Sequence, residues 1–125
     1  MREIKFRGKT IDGFWGLWEY GSLWIDEGKY YINGTDNNWW EVIPETVGQF
    51  TGLKDKNGVE IYEGDLVEFC SDTHYTPYVC KWNEHRCEFA WYTVDNENEY
   101  HYVYPIGDLR TYLKVVGNIY DKEEK

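Results

Sequence analysis

Positive charge is scarce in this chain. Thirteen Lys and Arg stand against 23 Asp and Glu, for a formal net charge of -10. A protein that grips a phosphate backbone shows a basic face, so this balance argues against simple nucleic-acid binding and toward basic partner surfaces, nucleic-acid mimicry included. Methionine occurs once, and Leu and Ala are sparse outside strand-like runs, which argues against an all-helical chain. No stretch approaches the roughly 18 apolar residues of a membrane-spanning helix. The opening "MREIKFRGK" has none of the apolar core of a signal peptide. The three cysteines are too few and odd in number for a disulfide scaffold, and they fit a reducing cytoplasm. "NGT" at Asn33 then marks a turn and not a glycosylation site.

What is present is aromatic. Seven Trp and 12 Tyr in 125 residues suit pleated, half-buried surfaces. "EIKFR" alternates, with Ile4 and Phe6 on one face and Lys5 and Arg7 on the other, as a half-buried strand does. "IDGF" turns the chain into the glycine-broken run "FWGLWEYG". "SLWID" and "KYYI" read as strands joined by "EGK", and "WWEVI" follows the turn-rich "NGTDNN" until Pro44 stops it. "TPYVCKW" and "RCEFAWYTV" form a hairpin around "NEHR", the acidic loop "DNENE" precedes "YHYVY", and "LKVVGNIY" closes the chain. "IGDLRTY" could form one helical or 3-10 turn. Short strands at about ten-residue spacing, with turn signals between them, indicate a small antiparallel barrel or sandwich. A boundary near Gly52 divides an N-terminal β-rich region, 1–51, from a strand-turn-strand region, 52–120, ahead of a charged tail, 121–125; the whole is expected to pack as one compact unit.

The stretch "VGQFTGLKDKNGVEIYEGDLVEF", Val47 to Phe69, has the glycine content of a ligand loop without its chemistry. A phosphate cradle needs GxxxxGK[ST] between strand and helix, and a calcium loop needs a twelve-residue frame; neither is there. Asn57-Gly58 instead supplies the positive φ of a tight hairpin turn, and Asp65 is placed to tie the next turn by accepting a nearby N–H. Together with "REIKFRGK", "YGSL" from Tyr20 and "VVGNIY" near the end, "VIPETVGQFTGLKDKNGVEIYEGDLVEF" closely resembles the YopX family of phage and prophage proteins. The resemblance covers nearly the whole chain. It implies a mainly β protein with an SH3-like barrel in its C-terminal part, acting in a bacterial cytoplasm. It carries over no catalytic or binding residue; the glycines and Asp65 transfer as marks of the fold.

Chemistry-bearing residues are thin. Cys70, His74, Cys80, His85 and Cys87 place five zinc-ligand types in one region, yet tetrahedral sites usually include a close pair such as CxxC. If the hairpin is symmetric about "NEHR", Trp82 faces Cys87 and Cys80 faces Phe89, and both thiols join an aromatic core. No metal and no cofactor is therefore expected. The seryl hydroxyls lie outside any GxSxG elbow, and nothing fixes a separation between Glu60, Glu63, Asp65 and Glu68 for paired-carboxylate chemistry. Lys5, Arg7 and Lys9 could contact phosphate, but lysines on an edge strand also guard against aggregation. What remains is Trp39 and Trp40, on opposite faces of one strand, and Tyr30 and Tyr31 likewise. Exposed aromatics of this kind anchor a partner or stack a base. The expectation is a non-enzymatic module that binds a host or phage protein, with a nucleic-acid-binding or nucleic-acid-mimicking barrel as the alternative and a zinc enzyme as a third reading. Homo-oligomers stay open.

Overall fold

Asp26 and Lys29 sit opposite each other across a two-residue turn in which Glu27 and Gly28 both take positive φ, 51° and 80°. That is the mirror-image turn whose twist matches its flanking strands, and it fixes the register of the first unit. The computed structural model describes residues 3–11, 17–34, 37–69, 77–105 and 113–121. The "IDGF" turn and the first part of the "FWGLWEYG" run, Cys70, His74, the "IGDLRTY" turn and the last four residues of the tail lie outside them.

The chain divides into two compact units, Met1–Gly52 and Leu53–Lys125. In the first, β1 (Phe6–Lys9), β2 (Trp18–Asp26), β3 (Lys29–Asn33), β4 (Trp39–Val42) and β5 (Gly48–Lys54) are ordered β4-β3-β2-β1-β5. The last residues of β5, Leu53 and Lys54, belong to the second unit, as does β6 (Glu60–Tyr62). The other strands of the second unit are β7 (Asp65–Phe69), β8 (Tyr78–Asn83), β9 (Glu88–Val94), β10 (Tyr100–Pro105) and β11 (Leu113–Asn118). They form an antiparallel sheet ordered β10-β9-β8-β7-β11. A single 3-10 turn at Pro44–Thr46 is the only helical piece among the described residues. The mainly β, antiparallel expectation holds. Among the described residues the strands form two antiparallel sheets and no closed barrel, with β10 and β11 at opposite ends of theirs.

β1 is central, not an edge, so the edge-guard role considered for its basic residues falls away. It pairs with β2 on one side and β5 on the other. Arg7 is buried with its guanidinium carbon 4.7 Å from the Trp18 ring centroid, and Lys5 lies 5.3 Å from that of Phe50. The end of β1 also returns to β4: Thr10 bridges Val42, and the Ile43 N–H donates to the Lys9 carbonyl at 2.8 Å. Gly8 permits this approach, since a Cβ there would fall 2.9 Å from the Val42 side chain.

In the second unit Ile61, Val67, Cys80, Phe89, Trp91 and Leu113 form the core. Full burial of residues this size contributes about 1.5–3 kcal/mol each. Two turns are built alike. At Asp55–Val59, Asp55 Oδ1 accepts the N–H of Asn57 and of Val59, and the Gly58 N–H reaches the Asp55 carbonyl. At Asp95–Glu99, Asp95 Oδ1 accepts the N–H of Glu97 and of Glu99, and the Asn98 N–H reaches the Asp95 carbonyl. Only Gly58 (φ 83°) and Asn98 (φ 66°) go left-handed. The expectation of positive φ at both Asn57 and Gly58 is corrected on this point: a side-chain carboxylate, not a left-handed pair, holds the turn, in the three-residue geometry that ends in a bulge. Asp65 does tie its turn, accepting the Tyr62 N–H at 2.7 Å.

Candidate functional site

Strand parity and the Glu27-Gly28 turn decide which aromatics meet. Trp24 faces Tyr31, Tyr31 faces Glu41, and Asn33 faces Trp39 across neighbouring strands, so these side chains share one face of the β2-β3-β4 sheet. The Trp24 and Tyr31 ring centroids lie 5.2 Å apart at 33°, and those of Trp24 and Trp39 lie 5.8 Å apart edge-to-face. Packed aromatic pairs in this range attract one another beyond their area burial. Even so, Trp24 keeps 49% and Trp39 45% of their surface in solvent. Two indoles and a phenol thus form one open patch on the outermost three strands of the sheet.

Of the four residues singled out by sequence, Tyr31 and Trp39 come together here. Tyr30 and Trp40 lie on the opposite face, where Tyr30 pairs with Ile25 and Val42 and Trp40 with buried Ile32. Trp40 is still 36% exposed, but it does not join the patch. Trp24 was missed. Its signal was present in "SLWIDEGKYYI": a two-residue turn at Glu27-Gly28 puts Trp24 opposite Tyr31, and only the choice of turn residues was needed to see it.

A second aromatic group lies on β9 and β10. Tyr92 contacts Tyr100 and Tyr102 edge-to-face at 6.4 and 5.9 Å. Lys81 Nζ sits 4.3 Å from the Tyr100 ring centroid and the Arg86 guanidinium 5.6 Å from that of Tyr102. Glu88 Oε2 accepts from Arg86 Nε at 2.8 Å and from the Tyr102 hydroxyl at 3.2 Å. Desolvation, with the bond to Glu88, pushes the Tyr102 phenol above its ordinary value, so it stays protonated at neutral pH. This group is already satisfied by its own charges.

Of the five zinc-ligand types, the three among the described residues do not come together. Cys80 is buried in the core, whereas Cys87 is exposed in the β8–β9 turn, as is His85. Cys70 and His74 lie outside the described residues. Among the described residues no group of three or more His, Cys, Asp or Glu could hold a metal. The hairpin register differs from the symmetric one: Trp82 faces Phe89 and Cys80 faces Trp91. Asn83 Oδ1 accepts the Arg86 N–H, so the turn forms one residue later than expected. That slide preserves the face of Cys80, Phe89 and Trp91 but puts Cys87 at φ 53° in the turn, not in the core. Among the described residues no helix is long and apolar enough to cross a membrane.

A family model described as YopX protein matches residues 17–125, nearly the whole chain, so the chain belongs to the YopX family. No curated protein matches it.

Proposed function

We propose that this member of the YopX family is a non-enzymatic binding module, a phage or prophage accessory protein of the bacterial cytoplasm, which takes a protein partner on the Trp24–Tyr31–Trp39 face. The observation that supports the reading is the exposure of two indoles within 6 Å of each other on a rigid sheet. Large aromatics held by neighbouring strands lose little conformational freedom on binding, and Trp and Tyr dominate the energetics of protein interfaces. The free thiols of Cys80 and Cys87 suit a reducing compartment.

Nucleic-acid binding draws its support from Lys81 and Arg86 over the tyrosines of β10. Glu88 holds Arg86 in an ion pair, and the net charge of -10 opposes a phosphate backbone, so the protein-partner reading is preferred. Capture from a bacterial host lysate, with and without nuclease, separates the two. A stoichiometric protein that survives nuclease supports the module; recovery that collapses with nuclease refutes it.

A further inference from the structure

Cations over aromatic rings are frequent in this protein. Lys5 lies over Phe50, Arg7 over Trp18, Lys81 over Tyr100 and Arg86 over Tyr102. The described residues hold at least four such pairs, above the roughly one per 70–80 residues usual in folded proteins. Like the Trp82–Phe89 pair, the Trp24–Tyr31–Trp39 patch departs from that habit. It is the most exposed ring cluster on the sheet, and among the described residues no cation lies over any of its three rings.

The patch has the other half of a cation site. Its rings meet at angles of 33° and 64°, so they form walls and not a flat platform for a sugar or a base. Glu41 stands directly opposite Tyr31 on the same face. At the hairpin end Asp26 is opposite Lys29, so that position carries both signs, whereas Glu41 has an aromatic ring and no basic residue directly opposite it. An arginine or lysine side chain laid over the solvent side of these packed rings would meet aromatic surface along its length and a carboxylate at its head. Resting on the binding face proposed above, we propose that Trp24, Tyr31, Trp39 and Glu41 form a receptor for a single cationic side chain, arginine above all, presented by a basic segment of the protein partner.

The test uses the full-length protein and an acetylated Gly-Arg repeat hexapeptide, followed by the indole N–H resonances of Trp24 and Trp39. The control peptide replaces each arginine with citrulline, which keeps the shape and removes the charge. The arginine peptide should shift both indole signals saturably, and the citrulline peptide should bind at least about tenfold more weakly, as loss of a cation–π contact and a charge-assisted bond requires. Glu41→Gln, a conservative exchange, should weaken the arginine peptide several-fold and leave the citrulline peptide unchanged. Equal response to the two peptides overturns the inference. So does a response of the same two indoles to oligothymidylate in place of the peptide, or to protein concentration alone, which would assign the face to bases or to a second copy. If the two peptides are equivalent while Trp39→Ala still abolishes partner capture, the cation receptor fails and the binding face stands; if capture is indifferent to Trp39→Ala, the binding face itself fails.

Discussion

Asp55 shows how one carboxylate can hold a fold that has no disulfide at that point. Its Oδ1 accepts from Asn57 and Val59, and its Oδ2 accepts the Val115 N–H at 2.9 Å, tying the turn to β11 across 60 residues of chain. Burial pushes the Asp55 carboxyl up, but the N–H groups of Val115, Val59 and Asn57, with Lys56 nearby, outweigh it and hold the carboxyl below its ordinary range. A folded pKa below the unfolded one gives a contribution that is complete above the unfolded value of about 3.9 and is lost as the pH falls through the folded value. Asp55→Asn should therefore cost about 2 kcal/mol near neutral pH, since one acceptor oxygen becomes a donor facing N–H groups. The gap between variant and parent should be smaller in acid, at a pH below the lowered folded value, than at neutral pH. Urea unfolding at both pH values measures this; a gap independent of pH would contradict it. Gly64 acts at the same scale. At φ 94° its added Cβ would fall 2.8 Å from Tyr120 Cε2, which physically joins "YEGD" to "VVGNIY", two of the segments that carry the family resemblance.

At the scale of elements, the β2–β3 hairpin depends on Gly21. Its φ of 150° is open to glycine, and a Cβ there would lie 2.0 Å from the Asn33 carbonyl oxygen, the backbone of the partner strand. Gly21→Ala should cost about 3 kcal/mol or more, because strand and not side chain must move. Chemical unfolding of the variant checks this; a loss under about 1 kcal/mol would show that the hairpin yields easily. Much of this level was legible in the sequence. Alternation and turn residues mark "EIKFR", "KYYI" and "LVEFC" as strands, which overlap the observed Phe6–Lys9, Lys29–Asn33 and Asp65–Phe69, because side-chain period and glycine placement are local properties. Which strands are neighbours is not local, and so β1 read as an edge although β5 returns to cover it. The β8–β9 register was missed because it hangs on one side-chain bond, Asn83 to Arg86, which composition does not reveal. Two of the three rings of the aromatic patch were legible for the same reason: parity separates Trp39 from Trp40, but bringing in Trp24 needs the turn type.

The whole molecule carries a net charge of -10 and, by the reading above, one open aromatic face. A basic partner would be steered to it, so the association rate should fall roughly 10- to 100-fold as salt rises from about 0.01 M to about 1 M and the screening length shrinks from about 30 to about 3 Å, with the dissociation rate changing far less. A rate indifferent to salt would remove the charge from the account. The central claim is that the Trp24–Tyr31–Trp39 face makes the contact, and two exposed tryptophans in different units permit a matched comparison. Trp82, 42% exposed, lies in the second unit against Phe89 at 5.0 Å. The measurement is the affinity of the captured partner for Trp39→Ala and Trp82→Ala, each first checked for an unchanged melting temperature. The account expects Trp39→Ala to lose about 2 kcal/mol or more, at least a 30-fold weakening, as an interface anchor does, and Trp82→Ala to bind as the parent does. Full affinity in Trp39→Ala would contradict it.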